Sequence, residues 1–227
     1  MYVVKSGGLP KKNRFLPFLF PLFFVASLWL VKFVEINFQL DFAGFGILPR
    51  NFSGLRGIIF APLIHENFNH LINNSFPVLI LGTAIFYSYK EVKWKIFFWI
   101  YFMTNLWVWA AARSAFHIGA SGLVYGFASF IFFSGIIRKN LKLMALSLLV
   151  VFLYGGMVWG IFPIDYRISF ESHLFGSLAG LLLAYYFRKQ GPQREKYSWD
   201  FEEEEDSEIR KFGEEDNKNP FNFPSVN

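Results

Sequence analysis

The histidines and one serine of this chain are the residues best suited to chemistry, because an imidazole can take the proton of a hydroxyl and make its oxygen nucleophilic. Cysteine is absent, which excludes thiol catalysis, disulfides and Cys-ligated metals. Ser121 lies in the segment Gly119-Ala120-Ser121-Gly122, where the glycines favour a tight turn into a helix. Such a turn exposes the hydroxyl at the positive end of that helix. Ser121 is therefore a candidate nucleophile, although serine is also a favoured helix N-cap.

A second segment supplies a candidate base. His173, Gly176 and Gly180 recur at helical spacing and lie along one face. Small residues four apart let two membrane helices approach closely, and Gly122 and Gly126 offer a matching groove on the helix after the serine. Packing of these faces would bring the histidine beside the serine. The alternative is that the glycines only pack and that the histidine caps a polar cavity.

A third segment contributes His70 and Asn74, which are four residues apart and so share a helix face. Their imidazole and amide donors could converge on one anion. A zinc site at His65, Glu66 and His70 is the competing interpretation. A spacing of five is poor for one helix face and no HExxH pattern occurs, so we predict no metal. His117 is interpreted as a loop histidine that faces water.

These residues belong to a chain with six long apolar segments. Its 227 residues are 54% apolar, 21% aromatic and only 17% charged, with a mean hydropathy of +0.33. Because a soluble domain carries about a quarter charged residues, a soluble enzyme and a disordered chain are both excluded. A membrane span needs about 20 apolar residues. The predicted spans are Phe15–Val34, Phe68–Tyr87, Ile96–Ala112, Ser121–Ile137, Leu141–Phe162 and Phe170–Phe187.

The distribution of charge predicts orientation and domain limits. Residues 1–189 hold 17 basic and 6 acidic groups, whereas residues 190–227 hold 5 and 11. Basic residues are concentrated on the side of the chain termini, so both termini should be cytoplasmic. We predict a basic N-terminus at 1–14, a membrane domain at 15–189 and a disordered acidic tail at 190–227. The glycine-rich, apolar connection Glu35–Asn67 should pack on the bundle or enter the outer leaflet.

Together these motifs resemble the rhomboid family of intramembrane serine proteases. The motif residues are His65, His70 and Asn74; Gly119, Ser121 and Gly122; Tyr125; and His173, Gly176 and Gly180. They lie on the second, fourth and sixth predicted spans, as that family places them. The resemblance covers roughly Phe15–Arg188 and implies an all-α membrane protein with six transmembrane helices. One departure is the external loop, where Leu55-Arg56 is the nearest match to the Trp-Arg pair of many members.

The resemblance also implies roles for individual residues. Ser121 would be the nucleophile and His173 its general base, in a dyad without a carboxylate. His70, Asn74 and the Ser121 backbone N–H would form the oxyanion hole, and Tyr125 would orient the histidine ring. The remaining implied positions are His65, Gly119 and Gly122 in support of the site, and Gly126, Gly176 and Gly180 in helix packing.

The implied activity is hydrolysis of transmembrane segments of other membrane proteins, without a cofactor, a metal or a nucleic-acid partner. An intact helix hides its carbonyls in hydrogen bonds, so we expect substrates with a destabilised transmembrane helix. The expected location is a bacterial inner membrane, in contact with lipid; the oligomeric state stays open. Two alternatives remain: a non-catalytic rhomboid relative that binds transmembrane helices, and a transporter. The first usually lacks the serine or histidine, and the second predicts inverted repeats that we do not find.

Overall fold

The computed structural model describes residues 15–153, 159–165, 168–192 and 209–211. Over these ranges the chain is helical without a β-strand, and an isolated bridge pairs Ile47 with His117. The helices are α1 Leu16–Asn37, α2 Gly57–Phe60, α3 Phe68–Ser88, α4 Lys93–Ala111, α5 Ser121–Ile137, α6 Leu141–Leu153 and α7 Phe170–Tyr186. All of them belong to one compact unit, Met1–Gln193. A second unit, Arg194–Asn227, contains a described helical turn at 209–211.

Five predicted apolar segments coincide with α1, α3, α4, α5 and α7 to within a few residues. The predicted span Leu141–Phe162 is covered only in part. Helix α6 is described to Leu153, residues 154–158 lie outside the described residues, and a 3₁₀ turn follows at Trp159–Ile161. The predictions for 1–14 and for most of 190–227 also fall outside the described residues. By length and composition, α1 and α3 are the described helices that qualify as candidate membrane spans.

Local hydrogen bonds fix where the helices begin. The side chain of Asn67 caps α3 by accepting the His70 N–H at 2.9 Å, and Ser169 caps α7 by accepting a backbone N–H three residues later at 3.3 Å. Helix α5 starts differently, because Ala120 occupies its N-cap position and no side chain caps it. Ser121 is the first residue of α5 rather than its cap, so its hydroxyl is not used as an N-cap.

Helix α5 is the centre of the bundle, since 11 of its 17 residues are buried. Around it, the outer helices direct large apolar side chains away from the core. On α1, for example, Phe23 is 70% exposed and Leu30 is 61% exposed. An outward apolar surface of this extent is costly in water and favourable in hydrocarbon. The burial pattern therefore fits a helix bundle surrounded by lipid.

Glycines bring α5 and α7 into backbone contact. A Cβ added at Gly176 would overlap the carbonyl oxygen of Gly122, and one added at Gly180 would overlap that of Gly126. At Gly126, a Cβ would collide with the side chain of Ile100 on α4. Residues without side chains allow this approach, and any larger residue would push the helices apart. This contact sets the distance between the N-terminal ends of α5 and α7.

The connection between α1 and α3 is packed against the bundle. The Asn105 amide on α4 donates to the Ile58 carbonyl at 3.1 Å, and the Tyr101 hydroxyl donates to the Ile59 carbonyl. Arg56 lies over the Phe45 ring at 4.4 Å and donates to a backbone carbonyl at 2.9 Å. Arg56 therefore anchors the connection even though Leu55 stands where many rhomboid proteins have tryptophan. Its entry into the outer leaflet stays a prediction.

Candidate active site

Ser121 and His173 meet at the N-terminal ends of α5 and α7. The Nε2 atom of His173 lies 2.9 Å from the Ser121 Oγ, although the two residues are 52 positions apart in the chain. Ser121 is the first residue of its helix, and His173 lies in the first turn of α7 and is 7% exposed. The distance is that of a hydrogen bond and allows direct proton transfer between hydroxyl and imidazole.

Two further groups hold the His173 ring. The Tyr125 ring stacks on it with centroids 4.1 Å apart and planes inclined by 8°. The other ring nitrogen, Nδ1, lies 2.8 Å from the backbone carbonyl oxygen of Gly160, in the 3₁₀ turn Trp159–Ile161. Ring face and Nδ1 are thus both engaged, which restricts rotation of the imidazole and keeps Nε2 directed at Ser121.

His70 and Asn74 lie over the turn that precedes Ser121. Gly119 in this turn has a φ of +104°, a conformation that suits glycine, and its N–H donates to the Ala61 carbonyl at 2.9 Å. A Cβ at Gly119 would lie 2.7 Å from the His70 Nε2 and 3.6 Å from the Asn74 Nδ2. The glycine therefore lets both side chains lie against the turn just before Ser121, where donors to an oxyanion would be needed.

The amide nitrogen of Asn74 is a buried donor without an acceptor in the described part of the chain. A buried amide that makes no hydrogen bond costs about 1–3 kcal/mol. At the start of α5, the Leu123 and Val124 N–H groups donate to the Ala120 carbonyl at 3.0 and 3.1 Å, so the Ser121 and Gly122 N–H groups are the ones without an acceptor inside the helix. Donors in this state are well suited to an anion that is present only during a reaction.

His65 lies behind the site rather than in it. It is 2% exposed, its Nε2 accepts the Ala120 N–H at 3.4 Å, and its ring meets the His70 ring edge-on with centroids 5.0 Å apart. Burial, reinforced by the repulsion of a charge on His70, lowers the pKa of His65 to about 3. A neutral ring is consistent with an acceptor at Nε2, so His65 supports the turn before Ser121.

Lys32 helps to position the segment that carries His65, and its role was not predicted from the sequence. Its Nζ is buried near the end of α1 and donates to the carbonyls of His65 and Glu66, each at 3.0 Å, and to Glu35 at 2.7 Å. These bonds tie α1 to the segment that leads into α3. The signal in the sequence was a single lysine within an otherwise apolar run, which is expensive in lipid unless it is paired.

His117 does not face water, so that interpretation was wrong. The side chain is 2% exposed; its Nδ1 lies 2.6 Å from the Ser169 Oγ and its Nε2 lies 3.1 Å from the Arg113 carbonyl. Its backbone also pairs with Ile47 through two hydrogen bonds of 2.9 Å. His117 therefore links the loop before Ser121 to the cap of α7.

Beside this link, Arg113 and Glu171 form an ion pair with Nε and Oε1 3.6 Å apart. Like His117, the pair joins the loop before α5 to the first turn of α7. Among the described residues, no group of three or more His, Asp or Glu side chains is arranged to hold a metal ion.

Comparison with known proteins identifies the family. Residues 53–190 match the profile described as Rhomboid domain. The chain belongs to the rhomboid family. Uncharacterized proteins of Mycobacterium tuberculosis and Mycobacterium bovis are each 35% identical to it over 176 residues, which cover 72% of this chain and 72% of theirs. An uncharacterized protein of Mycobacterium leprae is 32% identical and covers 72% of this chain and 68% of its own.

The rhomboid assignment confirms the resemblance seen in the motifs. The matched range contains every motif residue from His65 to Gly180. Rhomboid proteins are membrane proteins, and most are serine intramembrane proteases. The names of the three relatives carry no activity, so the evidence for the activity of this rhomboid protein lies in its own site.

Proposed function

We propose that this rhomboid protein is an intramembrane serine endopeptidase in which Ser121 and His173 form the catalytic dyad. The main support is the 2.9 Å separation of the His173 Nε2 and the Ser121 Oγ, with Tyr125 stacked on the base. The second support is the buried Asn74 amide beside Gly119 in the turn before the serine, which has no acceptor among the described residues. A rhomboid relative that only binds helices has no need of either arrangement.

In the proposed reaction, the His173 Nε2 takes the Ser121 hydroxyl proton while Oγ bonds to the carbonyl carbon of the scissile peptide. The π electrons of that carbonyl move onto its oxygen, and His70, Asn74 and the Ser121 N–H donate to this oxyanion. When the carbonyl re-forms, the C–N bond breaks and the leaving nitrogen takes the proton from Nε2. Water then attacks the acyl-enzyme by the same steps and releases the second product.

We further propose that six helices, α1 and α3 to α7, cross the membrane, with both termini cytoplasmic in a bacterial inner membrane. Basic residues cluster in the connections α3–α4 and α5–α6 and in the helical turns that follow them, which favours the cytoplasm for those ends. The dyad lies at the opposite ends of α5 and α7 and would thus open toward the outside. Hydrolysis requires water, and a site near the external face needs no water path across the hydrocarbon.

The substrates proposed are single transmembrane helices that unwind easily near the outer membrane boundary. Every carbonyl in the interior of an α-helix accepts a hydrogen bond, so Ser121 can attack only after local unwinding. Helix-destabilising residues such as glycine or proline near the scissile bond should lower this cost. No cofactor takes part in the proposed reaction.

The test uses purified protein in liposomes with a model single-span substrate. Wild type should cleave it, whereas Ser121→Ala and His173→Ala should reduce kcat by about 10⁴-fold or more, as in other serine hydrolases. Ser129→Ala is the matched control, since it lies on the same helix and its hydroxyl bonds to the Ser177 carbonyl. It should cleave like wild type. Equal cleavage by Ser121→Ala and wild type would refute the proposal and favour the helix-binding alternative.

A further inference from the structure

The contact between His173 and Gly160 determines which ring nitrogen carries the proton. A carbonyl oxygen only accepts hydrogen bonds, and the Gly160 oxygen lies 2.8 Å from Nδ1. Nδ1 must therefore hold the hydrogen. In a neutral imidazole, Nε2 then has a free lone pair, and this atom faces the Ser121 hydroxyl at 2.9 Å. The opposite tautomer would set two acceptors against each other at Nδ1, and its Nε2–H would donate to the Ser121 Oγ instead of accepting the hydroxyl proton.

We propose that the backbone carbonyl of Gly160 is the positioning partner of His173, and that it completes the dyad in the way an aspartate completes a Ser-His-Asp triad. This inference rests on the proposed function. The carbonyl selects the Nδ1–H tautomer before proton transfer and stabilises the imidazolium that forms after it. Glu171 is a carboxylate close to His173 in sequence, but it does not take the place of a triad aspartate, because it pairs with Arg113.

Glycine at position 160 is what permits this contact. A Cβ there would collide with the Tyr125 hydroxyl oxygen and would lie 2.8 Å from the His173 Nδ1. Real Cβ contacts are essentially never this short, so any other residue would force the turn away from the ring. The absence of a side chain at position 160 thus lets the main chain approach both His173 and Tyr125, whose ring stacks on it.

The position of this carbonyl also has a consequence for control of the site. Gly160 belongs to the connection between α6 and α7 and not to α5 or α7, the helices that carry the dyad. His173 therefore has its competent tautomer fixed only while the turn Trp159–Ile161 lies against it. A displacement of the turn would lower the competent fraction without moving Ser121 or His173.

The direct experiment is ¹⁵N NMR of the histidine-labelled protein in detergent, with the His173 signals assigned by their loss in His173→Ala. Wild type should show a protonated Nδ1 and an unprotonated Nε2 at neutral pH. Gly160→Ala should lose this preference and show mixed tautomers. In parallel, its kcat should fall by about 10-fold or more with KM nearly unchanged, because the wrong tautomer of a triad histidine is costly. Gly44→Ala, where an added Cβ meets nothing within 4 Å, should match wild type in both measurements.

A subtler variant avoids the risk that Gly160→Ala misfolds. Replacement of Ile161 by its α-hydroxy acid converts the 160–161 amide into an ester, which leaves all side chains in place and makes the Gly160 carbonyl a weaker acceptor. The kcat should fall by about 3- to 10-fold, in line with the weakening of one hydrogen bond.

Several outcomes separate this inference from the proposed function. A wild-type His173 with its proton on Nε2 overturns the inference, whether or not the protein cleaves. So does a Gly160→Ala protein with wild-type tautomer and wild-type kcat. A protein that never cleaves substrate but loses the Nδ1–H preference in Gly160→Ala supports the inferred contact and overturns the proposed function.

Discussion

At the scale of single residues, the polar groups around Ser121 are fixed by partners that lie away from the reacting atoms. Tyr125 and the Gly160 carbonyl hold His173, and His65 accepts from the main chain just before Ser121. The Asn74 amide is the exception, because its nitrogen is buried and no described residue accepts from it. The proposed base, His173, is therefore held in one orientation, whereas the Asn74 amide keeps a donor available for the negative charge that would develop on the substrate oxygen.

Asn74→Ala should reduce kcat by about 10- to 100-fold with a small change in KM, because one oxyanion donor is lost. The thermal midpoint should change little, since the amide nitrogen forms no hydrogen bond to the described residues that the alanine would break. Cleavage kinetics in liposomes and thermal unfolding in detergent measure the two effects. An unchanged kcat would show that the amide does not contact the oxyanion.

Acid should destabilise the folded protein through its buried loop histidines. Burial lowers the pKa of His65 from 6.5 to about 3 and also lowers that of His117. Between about pH 6.5 and pH 3 the unfolded chain binds protons that the folded chain excludes. The stabilising contribution of the neutral histidines is therefore complete above about pH 6.5 and is lost progressively toward pH 3.

Thermal unfolding of the purified protein at pH 5.0 and pH 7.5 checks this sign. The midpoint should be lower at pH 5.0, and His65→Gln should narrow the difference, because its amide oxygen can still accept from Ala120 without titrating. A midpoint that rises on acidification would contradict the assignment of a neutral, buried His65.

At the scale of elements, the geometry of the dyad depends on how closely α5 and α7 pack. The glycine contacts occur within one or two turns of Ser121 and His173, so a small separation of the helices transfers directly to the Nε2–Oγ distance. The His117–Ser169 hydrogen bond and the Arg113–Glu171 ion pair also join the loop before α5 to the start of α7.

Gly176→Ala should impair activity by about 10-fold or more, because its Cβ would overlap the Gly122 carbonyl and push the helices apart. The thermal midpoint should fall as well. Leu178→Ala is the control on the same helix, since this side chain is 41% exposed on the outer surface. It should retain wild-type cleavage. If Gly176→Ala cleaved like wild type, α5–α7 contact would not control the dyad.

The sequence was a good guide to elements and a poorer one to links between them. Helical periodicity relates residues three or four apart, so the limits of α3, α5 and α7 and the shared face of His70 and Asn74 could be anticipated. The contacts of Lys32, His117 and Gly160 could not, because each joins segments that no local spacing relates. His117 was predicted to be exposed because its neighbours suggest a loop, yet that loop is buried by the cap of α7.

At the scale of the whole molecule, charge and apolar exposure both point to one arrangement in the membrane. The acidic residues of 190–227 offset the strongly basic residues 1–189, so the net charge of the chain is only +5. Family membership supports a membrane location, and the positive-inside pattern predicts which side each connection occupies.

Cysteine labelling tests this orientation without further engineering, since the chain has no cysteine of its own. Ser53→Cys lies in the connection between α1 and α3, and Ser207→Cys lies in the acidic tail. A membrane-impermeant maleimide should label Ser53→Cys in intact cells and label Ser207→Cys only after the membrane is opened. The reverse pattern would invert the proposed topology.

The central claim is that His173 activates Ser121 as a nucleophile, and a serine-directed fluorophosphonate measures this activation without a substrate. Mass spectrometry of the labelled, folded protein should find one adduct, on the Ser121 Oγ. Labelling should be lost in Ser121→Ala and should fall by at least about 100-fold in His173→Ala. Wild-type labelling of His173→Ala, or the absence of a Ser121 adduct in the wild-type protein, would contradict the claim.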